Sequence, residues 1–422
     1  MRALVFRAAF FSAGLMMAAP FHPCVAQDRG GEEDAILPGL VANPYNLPGG
    51  ELEDIRSLDV YVENNKTLHL LLAGIRKGHA EPAVYYTHSA DGGYSWSTLI
   101  EVRAGNGPPT ESKRGNDLQI AATGKQVVAI WQTTGQFPGN GVLVSALSSD
   151  RGEHWEPGPN PSDDETPSDH GYMDLLVDDL GDFHLVWFDD REETGSYNGL
   201  RYTKSNDEGR HWQPNLTLDD KTCTCCWGRI VQDPNGTALN VLYRDADPRD
   251  MAMARSETRG NQWRRMGPVG AFQWEFIGCP HNGGGLAVTR HGDQLVFHSV
   301  VWTGSERQPG LYYLRSMDYG RSWNHLSRLG GESALHGDIA AGTNRVVAVW
   351  DAIGADGSTI FTAHSPDGGQ SWTEARRLST PGASGTHPRV VATASGFMVF
   401  WTERRVDAFL RLAMAVVGNT GP

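Results

Sequence analysis

An all-β fold built by radial repetition, a β-propeller, is predicted by three observations on this chain. An octapeptide of the form Ser, one residue, Asp, one residue, Gly, two residues, Trp recurs along it. It reads SADGGYSW, SSDRGEHW, SNDEGRHW, SMDYGRSW and SPDGGQSW, with a worn copy, SETRGNQW, and the six copies start at 89, 148, 205, 256, 316 and 365. That spacing of roughly 50–60 residues is the length of one propeller blade. Between the copies lie short alternating or wholly apolar runs bounded by Gly, Asp and Asn, the pattern of buried strands. Within each octapeptide the Asp caps its own turn by accepting backbone N–H groups, the Gly supplies a positive φ, and the Trp pins the turn to a neighbouring sheet.

The chain begins with a secretory signal over residues 1–26. Arg2 and Arg7 give a basic start, Ala8 to Ala19 is apolar, and Cys24-Val25-Ala26 precedes a cleavage point before Gln27. The apolar run is too short to span a bilayer. Phe21, His22 and Pro23 are not the small residues that lipid modification of Cys24 requires. The expected product is exported, periplasmic or secreted, with no membrane insertion. Loss of Arg2 and Arg7 with no acidic residue moves the net charge from −14 to −16, which argues against nucleic acid and anionic membranes as partners.

Residues 27–50 are Gly/Pro-rich and read as a tether, with an apolar patch at Ile36 to Val41 that offers a closing strand. Residues 51–418 then repeat one scheme: three strands, an octapeptide turn and a fourth strand. Blade one contributes LDVYV, LHLLLAG and AVYYTHS; blade two DLQIAAT, VVAIWQT and VLVSALS; blade three MDLLV, FHLVWF and LRYTKS. Blade four contributes RIVQD, LNVLYR and MAMARS; blade five GLAVT, LVFHSVVW and LYYLRS; blade six DIAAG, VVAVWD and IFTAHS. A seventh triple, RVVATA, FMVFWTE and FLRLAMAVV, follows without a turn copy and needs a fourth strand from the N-terminal segment. Seven blades are favoured, with six as the alternative.

The innermost strands start in register at Asp59, Asp117, Asp174, Arg229, Gly285, Asp338 and Arg389, so these residues should line the channel. The residues just before them ring its mouth: Arg56, Arg114, Asn116, His170, Cys223, Cys225, Cys226, Cys279, His281, His336 and His387. Thiolate and imidazole are ligands of copper and zinc. Cys223, Cys225, Cys226, Cys279, His281 and His336 are therefore a candidate soft-metal set, with copper ahead of zinc. The competing reading is disulfides, since four cysteines in an exported chain allow three pairings. Cys223 or Cys225 with Cys279 and Cys225 with Cys226 are the plausible bridges, and redox-active thiols are the third reading. His170 and His387 read as hydrogen-bonded mouth histidines.

The octapeptide resembles the Asp box, and the chain resembles the sialidase-like, or BNR-repeat, β-propellers over nearly everything after residue 50. That resemblance implies the fold; family members include sialidases, other glycosidases and non-enzymatic binders, so it leaves activity open. A sialidase site needs three arginines on the sugar carboxylate, a Tyr nucleophile with its Glu, and an Asp acid. Arg56, opening RSLDVYVENNKTL, resembles the first arginine, although the family's Ile-Pro is missing. Arg244 resembles the second. Cys225, Cys226 and Trp227 stand where the Glu belongs, and His336-Gly337-Asp338-Ile339 stands where the Tyr belongs, while Glu81 is the one acid near the third place. Arg56, Arg244, His336 and Asp338 are thus the catalytic candidates. Arg244 and Arg191 are also readable as blade arginines paired with Asp245 and Asp190. Three functions follow: a soft-metal binding or redox propeller, an exo-sialidase or related glycosidase, and a disulfide-braced binder of carbohydrate or protein. The expected partner is a metal ion or a small ligand, glycans included.

Overall fold

The computed structural model describes residues 40–41, 48, 50–63, 66–105, 109–135, 141–164, 166, 168–191, 193, 197–406 and 408–418. The expected signal segment lies outside them, as does most of the tether. From Pro38 onward the chain forms one compact unit. Its strands make seven four-stranded antiparallel sheets. Blades one to six each use consecutive strands, opening at Leu52, Gln119, His170, Arg229, Gly284 and Asp338. Blade seven has only three late strands, Ser384–Thr393, Gly396–Arg404 and Arg411–Gly418. Its outer place is taken by Leu40–Val41, where Leu40 pairs with Val417 and Val41 with Val416. The apolar N-terminal patch thus supplies the missing strand, and the sheet count settles at seven.

Each octapeptide turn has one hydrogen-bond scheme. In the first, the Ser89 hydroxyl donates to Asp91 Oδ1 at 2.8 Å, Gly93 N donates to Ser89 Oγ at 2.8 Å, and Ser95 N donates to Asp91 Oδ1 at 2.9 Å. The worn copy keeps the scheme with a hydroxyl: Gln262 N donates to Thr258 Oγ1 at 2.8 Å. The tryptophans reach across to the previous blade. Trp155 meets Tyr86 edge-on at 5.3 Å, Trp263 meets Tyr202 at 4.9 Å, and Trp372 meets Tyr313 at 4.7 Å. Those three tyrosines each bond a buried histidine on the strand beside them: His69, His184 and His298, all at 2.8 Å.

The channel wall is polar and self-paired. Asp59 accepts from Ile120 N of the next blade, Asp174 from Ile230 N, and Asp338 from Val390 N. Arg229 bridges Asp174 and Asp338 at 3.1 Å each, and Arg389 holds Asp59 at 3.0 Å. The residues placed in register by sequence therefore meet across the axis. Burial raises the Asp59 carboxyl to about 6 against the pull of Arg389.

Candidate functional site

Above this wall the innermost strands break register. Bulges fall between Glu53 and Ser57, Gly171 and Asp174, and Thr386 and Arg389. In each, one non-glycine residue turns left-handed: Asp54 at φ 53°, Tyr172 at φ 55° and His387 at φ 47°. Bulges re-aim side chains and store strain of about 1–3 kcal/mol per such residue, a cost that recurs at ligand sites. His281, in the loop of blade five, shares the conformation at φ 50°.

The bulge of blade seven lays His387 on His336. The rings stack at 3.6 Å between centroids, with Trp227 at 5.6 Å from His336 and 5.2 Å from His387. Asp351 organises the pair. Its Oδ2 accepts from His336 Nδ1 at 2.8 Å, from His387 N at 2.9 Å and from the Thr386 hydroxyl at 2.9 Å. Burial, then the charges of His336, Arg114 and His281, hold the His387 imidazole well below its usual range, so it stays neutral. His281 is lowered by burial, Lys113 and His336. Arg114 closes the floor, donating to His387 O at 2.6 Å and Asp117 Oδ1 at 3.0 Å. One cavity is lined by Arg114, Trp227, Arg229, His336, Asp338, His387 and Arg389 among others.

Beside this mouth sits the cysteine cluster. Cys225 is bonded to Cys279, which settles the pairing left open by sequence. Cys223 and Cys226 are free and buried, with their sulfurs 2.9 Å apart, and Cys223 Sγ is 3.9 Å from Cys225 Sγ. The Cys226 hydrogen bond lowers Cys223 to about 6 against burial, helped by Arg244 and Arg249, whereas burial pushes Cys226 up. The six metal candidates do not gather as one set. Cys223, Cys225 and Cys226 form one group, Cys225, Cys279 and His281 a second, and His336 joins Asp351 and His387 in a third.

The arginine candidates are not brought together. Arg56 is largely exposed and pairs with Asp54 at 2.7 Å. Arg244 is fully buried, and its three nitrogens donate to the carbonyls of Asn282, Arg249 and Trp302. It presents nothing to the mouth, and it does not pair with Asp245, which takes Arg265 instead. Arg191 likewise bonds Asp189 and Asp163 rather than Asp190. Asp338 is a wall residue, and His170 is buried in its strand, bonded to Ser168 O at 2.9 Å. Glu81 is exposed on a loop.

Sequence reasoning missed Asp351, Tyr172 and Asp169. Burial, then Asp190, raises Asp169 to about 7, while Gln132 and Asn198 pull it down. Asp351 ends the apolar run VVAVWD inside the strand Val346–Gly354, and nothing local distinguishes it from the other blade aspartates.

No protein-family model matches the chain. No curated protein matches it. Solved structures do. An ulvan lyase, a polysaccharide lyase, superposes with a TM-score of 0.58 at 13% identity, covering 90% of this chain and 96% of that one. The same kind of enzyme bound to -[GlcA(1-4)Rha3S]- gives 0.55 at 12% identity, covering 87% and 95%. The NanB sialidase of Streptococcus pneumoniae, as its K499G mutant, gives 0.46 at 11%, covering 89% and 70%. The likeness is one of fold: this chain is a β-propeller of seven four-stranded blades.

Proposed function

We propose that the protein is an exported propeller that binds an acidic saccharide at the channel mouth and acts on it by acid–base chemistry. One observation carries this reading: Trp227, His336, His387 and Asp351 form a single cluster over the channel. An aromatic face gives a sugar ring its stacking surface. A carboxylate on Nδ1 fixes the imidazole tautomer and leaves Nε2 as the basic nitrogen. Lys113, close enough to His281 to disfavour its protonation, adds positive potential for an anionic group. A propeller of the same fold holding -[GlcA(1-4)Rha3S]- supports the choice of ligand class. Hydrolysis of sialosides has less support, because Arg244 is spent on backbone carbonyls and Arg56 pairs with Asp54. The Cys225–Cys279 disulfide supports an oxidising, exported setting.

The test is calorimetric titration with uronate-bearing and sulfated oligosaccharides, followed by an ultraviolet assay for unsaturated elimination products. Binding weakened about tenfold or more in Trp227→Ala, and turnover lost in His336→Ala with binding kept, is the expected result. No affinity for any acidic saccharide, or affinity indifferent to Trp227→Ala, removes the reading.

A soft metal is a second reading, on the closeness of Cys223, Cys225 and Cys226, whose sulfurs lie within 4.8 Å of one another. With Cys225 in a disulfide, two thiols remain, which suits Cu(I) better than tetrahedral zinc. Elemental analysis of exported protein checks it: about one copper per chain supports the site, and none discards it.

A further inference from the structure

We propose that Cys223, Cys225, Cys226 and Cys279 form a thiol–disulfide exchange site, in which the bridge moves from Cys225–Cys279 to Cys223–Cys226 and releases the blade-five loop from blade four. The proposal goes beyond the saccharide reading and does not depend on it.

The arrangement is that of an exchange reaction before its first step. A disulfide is broken by a sulfur nucleophile that attacks one of its two atoms and expels the other. Cys223 Sγ lies 3.9 Å from Cys225 Sγ and 2.9 Å from Cys226 Sγ. Four sulfurs therefore stand in contact, two bonded and two free. Cys223 is also beside positive charge. Its backbone N donates to Arg244 O at 3.0 Å, and Arg244 and Arg249, both buried, form no ion pair among the described residues. Arg249 Nη1 is buried with no hydrogen-bond partner. Unpaired guanidiniums favour the thiolate, the attacking form of cysteine.

The steps balance without an outside oxidant. The Cys223 thiolate attacks Cys225; the Cys223–Cys225 bond forms, the Cys225–Cys279 bond breaks, and its electron pair leaves on Cys279. Cys226 then gives its proton to the Cys279 thiolate and attacks Cys223, expelling the Cys225 thiolate, which takes that proton back from Cys279. One disulfide, one proton and one negative charge are present before and after. Cys279 is the exposed member of the four, so the charge ends where water can hold it.

The loop that Cys279 leaves is tied to the mouth. Arg244 holds Asn282 O and Arg249 holds Phe276 O. A side chain at Gly283 would collide with Trp227, so loop and aromatic ring are in direct contact. Moving the bridge cuts the covalent link between this loop, which carries His281, and the segment carrying Trp227.

The experiment is alkylation of the native, full-length protein with iodoacetamide, followed by mass mapping of every cysteine. Wild type should accumulate Cys279 and Cys225 in alkylated form together with an intact Cys223–Cys226 bridge. Cys223→Ser should slow labelling of Cys279 at least tenfold. Cys226→Ser should stop the reaction at a Cys223–Cys225 bridge with Cys279 labelled. The wild-type mapping stands alone if a variant fails to fold. Protein isolated with no free thiol, Cys279 that never labels, equal labelling in Cys223→Ser, or copper that blocks all four sulfurs overturns the proposal.

Discussion

His387 occupies a left-handed backbone position, has a neutral buried ring and stacks on a second imidazole, and each property was invisible in the sequence for its own reason. Its place at the mouth was legible, because it precedes the innermost strand that opens at Arg389. Its conformation was not, since a bulge shows only as a register shift. Its stacking on His336 depends on Asp351, which lies in the strand Val346–Gly354, distant in sequence from both histidines. The cysteines were legible as neighbours of the mouth, and their pairing was not, because three pairings satisfy the same spacing. Histidine also carries a pH prediction. Burial, then Arg315 and His291, lowers His298 to about 3, while Thr289 and Tyr313 hold its two nitrogens at 3.0 and 2.8 Å. A folded value below the unfolded one of about 6.5 means the unfolded chain binds the extra proton. The stability this group contributes is complete above pH 6.5 and is lost as pH falls toward 3. His298→Gln should flatten the pH dependence of denaturant midpoints there by up to about 1.4 kcal/mol per pH unit relative to the parent. Asp59 and Asp169, raised to about 6 and 7, act in the opposite direction, and comparison with the parent cancels them. Identical slopes in the two proteins contradict the assignment.

The octapeptide turn was readable almost whole. Its Ser and Gly fill one hydrogen-bond scheme six times and its Asp five, with Thr258 in the Asp place of the worn copy. Its Trp was expected to pin the turn to a neighbouring sheet. The structure adds direction, since Trp155, Trp263 and Trp372 reach back to a Tyr of the preceding blade. The glycine is fixed twice over. Gly152 has φ 85°, and a Cβ there runs into the rigid Tyr86 ring; Gly92, one residue before the motif glycine of the first copy, has φ 76°, and its Cβ meets only Ser395 Oγ at 3.7 Å. Gly152→Ala should therefore cost about 2–4 kcal/mol, backbone strain plus overpacking, and Gly92→Ala about 1–2 kcal/mol from strain alone. Thermal and urea unfolding of both variants measures the gap, and equal losses would show that the Tyr86 contact has no weight.

At the scale of the ring, periodicity fixed the architecture while blade count rested on one weak segment. The seventh triple lacked a fourth strand, and two residues, Leu40 and Val41, supply it. Sequence offered the Ile36–Val41 patch as a closing strand but not its two paired residues, because two residues carry no periodicity. Deleting residues through Val41 should leave six blades intact and expose the edge of Arg411–Gly418, with a loss of about 1–3 kcal/mol and a tendency to self-associate. Scanning calorimetry beside light scattering checks both; a truncated protein that melts with the parent and stays monomeric rules out a role for the clasp.

That clasp also dictates timing. Leu40 is made before the other strands of the ring and pairs with Val417 in the last of them. While synthesis proceeds, the early segment waits with an unsatisfied backbone, and six blades can assemble before it finds a partner. Long-range pairing of this kind is the slow part of folding. Closure of the ring is therefore a post-translational event, and a chain stalled short of its last strand is an open arc on which quality control can act.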